Sequence, residues 1–215
     1  MSAARSTARR PGRRDQPQLG LEFRTWGGKR PRAGRKPRAG RSGVPHRPRA
    51  DWHQRRPLHV TLRMAPHVYN LRSRRSFRVI GASLWAGGDR FDVRIVRFSI
   101  QGNHIHLIVE APNRRALARA IQGLSIRIAK GLNRMMGRSG RVLDDRYHAR
   151  VLRTPTEVRH AIHYVLDNAR KHAAQRGATY SAGYVDPFSS AGAPDVVLPP
   201  AQTWLLREGW KRAGP

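Results

Sequence analysis

Apolar residues recur with a usable period only between residues 57 and 188, and inside that stretch the period keeps switching between two and three-to-four. Residues 58–64 alternate apolar and polar, as a half-buried strand does. Residues 66–85 put Phe77, Ile80 and Leu84 on one side of a helix, with Gly87 and Gly88 to stop it. Residues 91–101 and 104–111 are both β-rich and are joined by Gly102-Asn103, which predicts a hairpin. Asn113 can cap a long helix in which Leu117, Ile121, Leu124, Ile128, Leu132 and Met135 form one apolar stripe. Residues 147–153 read as a fourth strand. Thr154-Pro155-Thr156-Glu157 is then a capping box with proline at the first helical position, opening a last helix that runs to about residue 175. The order β-α-β-β-α-β-α predicts an α+β fold. Its first six elements match the ferredoxin-like split βαβ plan, an antiparallel sheet with helices on one face, and one C-terminal helix is appended.

The flanks differ in kind. Residues 1–56 hold 17 of the 43 Lys and Arg but only 3 of the 13 acids, with frequent Gly and Pro. Such a segment buries too little apolar surface to offset its ordering entropy, so a disordered basic arm is expected there. Within it Lys29–Arg41 runs twice through a Lys/Arg-Pro-Arg-Ala-Gly-Arg pattern. Arg32, Arg35, Lys36, Arg38 and Arg41 could follow a DNA minor groove in the manner of an AT-hook, whose Arg-Gly-Arg-Pro core is only approximated here. A solvated tail with general phosphate affinity is the alternative. Residues 189–215 are Pro- and Ala-rich and then offer Trp204, Leu205, Leu206 and Trp210 as a short amphipathic segment.

A net charge of +30 opposes compaction unless something negative offsets it, and nucleic acid is the commonest such partner. No apolar run approaches the roughly 18 residues of a membrane helix, and none follows the basic N-terminus as a secretory signal requires. A soluble cytoplasmic chain without membrane partners is therefore expected. Cysteine is absent, which excludes disulfides, thiolate metal sites and cysteine nucleophiles.

Two clusters could carry chemistry. On a strand, His104 and His106 project from one face and Ile105, Leu107 and Val109 from the other. Two imidazoles one pleat apart can converge on a metal ion, or can simply be a surface or hydrogen-bonded pair. On the last helix Val158, Ile162, Val165 and Ala169 define the apolar stripe. Tyr164 lies about 130° from its centre, and Asn168, one turn further on, about 40° from Tyr164, so the two share an edge that could face the sheet margin or a cleft. Tyr147, at a strand entrance, is a rival nucleophile or a packed aromatic. Arg146, Arg150 and Arg153 approach the same region in sequence. Arg115, Arg119, Lys130 and Arg134, on the polar side of the long helix, could track phosphates or be a solvated face.

The histidine–hydrophobic–histidine strand after a hairpin turn, followed by a lone helical tyrosine, resembles the single-tyrosine HUH transposases. The stretch Tyr164-Val165-Leu166-Asp167-Asn168-Ala169-Arg170-Lys171-His172 is similar to the Tyr-…-Asn-Pro-Val-Lys-His signature of the REP-associated tyrosine transposases, with Ala169 where that family often has proline. The resemblance covers about residues 57–188. It implies His104 and His106 as metal ligands, Asn168 as a third, Tyr164 as nucleophile, and Mg²⁺ or Mn²⁺ as the cofactor. It also implies cutting of single-stranded or hairpin DNA through a 5′-phosphotyrosine, leaving a free 3′-OH. Exchange of one phosphodiester for another requires no nucleotide loop, and no Gly-x-x-x-x-Gly-Lys-Ser/Thr occurs. A DNA-gripping relative without activity, and a zinc hydrolase using the histidine pair, are the alternatives. Monomer and dimer are both compatible with the sequence.

Overall fold

A computed structural model of the chain describes residues 51–175 and 177–214. The basic repeat bearing Arg32, Arg35, Lys36, Arg38 and Arg41 lies outside the described residues. The elements in order are β1 (Arg56–Arg63), α1 (Arg74–Gly87), β2 (Asp89–Arg90), β3 (Val93–Ile100), β4 (His104–Ala111), α2 (Arg114–Met135), β5 (His148–Val151), α3 (Pro155–Leu166), α4 (Asn168–Ala174) and α5 (Trp204–Arg207). A 3-10 turn, Gly209–Arg212, follows. The sheet order is β2-β3-β4-β1-β5, with every pairing antiparallel. Without the two-residue β2, that is the ferredoxin-like arrangement the periodicity predicts.

Each sheet face has its own cover. The even apolar positions of β1 (Leu58, Val60, Leu62) and the odd ones of β4 (Ile105, Leu107, Val109) are buried with Ile80 and Leu84 of α1 and the predicted α2 stripe. On the opposite face a smaller cluster joins Ile108 and Leu152 to Val158, Ile162 and Val165 of α3 and Leu206 of α5. The C-terminal segment closes that side. Buried Glu110 accepts hydrogen bonds from Gln202 N at 2.8 Å and from Thr203 N and Oγ1 at 2.6 Å each.

Four boundaries differ from those expected. The helix predicted from residue 66 begins only at Arg74. Before it, Asn70 Oδ1 accepts from Arg72 N at 3.0 Å and Ser73 Oγ from Ser76 N at 3.1 Å, local bonds that compete with helical ones. The body starts before residue 57, since the Trp52 indole donates to Ala111 O at 3.1 Å. Nor does it end at 188: Ser189 bridges to Ser99, and Ser190 N donates to Phe98 O. Finally, the last helix is broken at Asp167 (φ −93°, ψ 4°) into α3 and α4.

Where α1 crosses α2, Gly131 leaves no room for a side chain: a Cβ there would stand 2.5 Å from Val79 Cγ1. Gly131→Ala gains about 1 kcal/mol of helix propensity, but overpacking at a stiff β-branched neighbour costs more. Thermal denaturation should show a net loss of about 1–2 kcal/mol. In a Val79→Ala background the same change should become neutral or stabilising; a loss there as large as in the parent would disprove the contact as its cause.

Candidate active site

β4 is central, flanked by β3 and β1, and its register fixes what surrounds the histidines. Thr61 of β1 and Ser99 of β3 stand opposite His106, and His59 stands opposite Ile108. On the far side of β1, His148 pairs with Thr61 and Arg150 with His59. His59, Thr61, His104, His106, His148 and Arg150 therefore occupy one sheet face, the face that α3 covers.

Both β4 histidines are oriented through Nδ1. His106 Nδ1 lies 3.1 Å from His59 Nε2 and 3.1 Å from Thr61 Oγ1, and His104 Nδ1 lies 2.8 Å from Asn103 Oδ1. An amide oxygen only accepts, so the His104 proton sits on Nδ1 and its lone pair on Nε2. With its proton on Nδ1, His106 can donate to His59 or Thr61, and its Nε2 then faces the site as a bare acceptor. That Nε2 is buried with no hydrogen-bond partner, in a residue only 4% exposed. Second-side bonding of this kind is what orients metal-ligating imidazoles.

Tyr164 reaches this pair. Its ring centroid is 5.2 Å from that of His106 and 5.6 Å from that of His59, both edge-on. His104 lies 4.7 Å from His106, with His172 of α4 5.7 Å beyond it. Tyr164 remains 40% exposed, as its position off the apolar stripe predicts. Lys171 Nζ stands 5.4 Å from its ring centroid. Asn168 departs from expectation: the break at Asp167 ends the continuous helix that would have kept it on Tyr164's exposed edge. It is 1% exposed, and both amide atoms are buried without a partner. Its neighbour Ala169 lines the same cavity of about 510 Å³ as Asn103, His104 and His172.

The remaining predicted residues scatter. Arg150 shares the histidine face, but Glu157 takes its guanidinium at 2.9 Å. Arg153 is exposed and gives its backbone N–H to Glu157 Oε2 at 2.7 Å. Arg146 is exposed, in the loop before β5. Tyr147, the rival nucleophile, packs against the cluster under α1 and α2. Sequence reasoning missed His59, Thr61 and Asn103. The first two are polar positions of an alternating strand, and only the pairing register with β4 shows that they meet His106.

The donor set suits a hard or borderline divalent cation. Among the described residues no three or more His, Cys, Asp or Glu form a metal-holding group; the orphaned Asn168 amide offers a donor of another kind. Burial, joined by the mutual repulsion of the neighbouring imidazoles and arginines, keeps the rings neutral. His106 is lowered to about 3, and His59 and His104 to about 4. An unfolded histidine titrates near ~6.5, so between that pH and about 4 the unfolded chain binds more protons than the folded one. Stability should therefore fall as pH drops through that window. Denaturation midpoints of EDTA-treated protein from pH 7 to 4 should show this, and His106→Asn should flatten the slope.

No family model and no curated protein sequence matches the chain. Among solved structures, a REP-associated tyrosine transposase bound to a REP hairpin superposes with a TM-score of 0.52 at 15% identity, covering 72% of this chain and 88% of that one. A candidate transposase of Deinococcus radiodurans gives 0.40 at 9% identity over 60% and 95%, too loose to carry weight. The chain thus shares the fold of the REP-associated tyrosine transposase: an antiparallel α+β sheet, here with paired histidines on its central strand beneath a helix-borne tyrosine.

Proposed function

We propose that the chain is a DNA transposase, or a strand-processing relative, that cuts and rejoins single-stranded or hairpin DNA through Tyr164. The observation that carries this is the meeting of the Tyr164 ring with His106 at 5.2 Å, although the two are far apart in sequence. The REP hairpin held by the structural neighbour supports a structured DNA substrate, as does a net charge of +30.

In this reading the Tyr164 oxygen attacks the scissile phosphorus, the bond to the 3′ oxygen breaks, and the DNA 5′ side becomes a phosphotyrosine. The phenol gives up its proton and the departing 3′ oxygen takes one up. Attack by a 3′-OH on the phosphotyrosine reverses the exchange and rejoins a strand. A free phenol titrates near ~10 and is a weak nucleophile at neutral pH, so positioning and charge must supply most of the help. His59 and His106 flank the ring edge-on and limit its orientation. Lys171 beside the ring favours a developing phenolate. His104, His106 and Asn168 would hold Mg²⁺ or Mn²⁺, which would neutralise the non-bridging phosphate oxygens. Asn103 and Thr61 act through the histidines by fixing Nδ1.

With labelled hairpin DNA and Mn²⁺, the protein should form a denaturation-resistant adduct that is absent in Tyr164→Phe and after EDTA. His106→Ala should slow adduct formation about 10²–10³-fold, the range for loss of one group stabilising transition-state charge. An adduct that persists in Tyr164→Phe would falsify the assignment. Strand cleavage without any adduct would point to a metal-bound hydroxide, and tight binding with neither would leave a DNA-gripping protein. Asn103→Ala, which leaves every proposed ligand in place, should weaken Mn²⁺ activation about 10–100-fold in the metal concentration required. An unchanged Mn²⁺ titration would remove Asn103 from the site.

A further inference from the structure

The arginines and lysine on the outer side of α2 have no part in the site above. α2 contains six basic residues and no acidic one. Arg115, Arg119, Lys130 and Arg134 fall within about 100° of arc, centred nearly opposite the buried stripe. None has an acidic partner among the described residues. Gly123 falls within this arc, and an aromatic ring from another element rests on it. A Cβ at Gly123 would touch Phe91 Cε2 at 3.5 Å.

Phe91 reaches that position in a conformation its residue type resists. Arg90 pairs with Val93, so Phe91 and Asp92 form the whole loop of the β2–β3 hairpin. Both have left-handed φ, 58° and 61°, where Asn-Gly is the usual occupant and a bulky side chain is an outlier. Arg55 clamps the turn, donating to the Asp92 carboxylate and, at 3.1 Å, to its carbonyl oxygen. The ring so held is 41% exposed. The Arg119 guanidinium lies 4.9 Å and that of Arg90 5.8 Å from its centroid. A strained turn that holds a partly exposed aromatic ring beside guanidinia, amid a row of unneutralised cations, has the make-up of a stacking platform for single strands.

We propose that Phe91 and the basic arc of α2 form a second contact surface for single-stranded DNA, on the side of the sheet away from Tyr164. A base stacks on the Phe91 ring, and Arg90, Arg115, Arg119 and Lys130 hold the neighbouring phosphates. This surface involves no chemistry and does not depend on Tyr164.

The test uses full-length protein in a Tyr164→Phe background with EDTA, and a fluorescein-labelled oligo-dT of twenty nucleotides read by anisotropy across a salt series. Phe91→Asn suits the left-handed turn and should fold at least as stably, yet bind about tenfold more weakly. Arg115→Gln/Arg119→Gln/Lys130→Gln should reduce the slope of log affinity against log salt by about 2, since each phosphate contact on a single strand contributes ~0.7. Irradiation with a 5-iododeoxyuridine oligonucleotide should cross-link the peptide containing Phe91. The proposal is overturned if Phe91→Asn binds as tightly as its parent, if the triple variant keeps the parental salt slope, or if no cross-link falls on that peptide. Because nucleophile and metal are absent throughout, none of these outcomes depends on whether Tyr164 is catalytic.

Discussion

Everything at the candidate site depends on β4 being a central strand with two unlike faces. Its period of two sends Ile105, Leu107 and Val109 into the core under α1 and α2, and His104, His106 and Glu110 to the other side. Antiparallel pairing with β1 then sets Thr61 opposite His106. A slip of one residue would exchange the faces and place imidazoles in the apolar core. The large hydrophobic cluster thus does more than stabilise the sheet. It fixes the register on which the Nδ1 contacts of His106 depend.

The second face is polar yet covered, and its groups meet that condition in different ways. Glu110 satisfies its carboxyl oxygens with three hydrogen bonds from Gln202 and Thr203, which also ties down the C-terminal segment. The histidines respond by losing their protons, since a cationic imidazole would be poorly solvated beside other imidazoles and Arg63. Neutral rings with Nδ1 engaged and Nε2 bare are the form a metal ligand requires. The orphaned His106 Nε2 and Asn168 amide atoms are costly in isolation. A bare, buried imidazole nitrogen beside the Tyr164 ring is what distinguishes this face from an ordinary sheet–helix contact.

Periodicity made the fold legible because each strand and helix buries a continuous stripe. The α2 positions 117, 121, 124, 128 and 132 are all buried, and Asn113 caps with Ala116 N at 2.8 Å. The hairpin turn and the capping threonine were equally local signals. The site was legible only in part. His104 and His106 share a face by alternation alone, and Tyr164 stands off the apolar stripe by helical geometry alone. Their encounter requires α3 to lie on the sheet face opposite α1 and α2, a tertiary fact with no local signature. Asn168 shows the converse failure. A continuous helix sets it beside Tyr164, but residues 167 and 168 carry no proline or glycine to announce the break, and burial of Ala169 and Ala173 turns α4 inward.

The distribution of charge separates chemistry from grip. Around Tyr164 the nearby cations are few, and Arg150 is already neutralised by Glu157. Crowding that face with uncompensated arginines would disfavour any divalent cation held by three neutral donors. The outer side of α2 has no such restriction, and there the cations stand without acids. Like charges spaced along one helix repel and weaken the folded state slightly. On the proposed reading a bound polyanion would remove that repulsion, so DNA binding and folding would be linked: whatever held phosphates along α2 would also steady the layer that sets the register of β4. The two sheet faces, unlike in chemistry, would then be coupled through the stability of the strand they share.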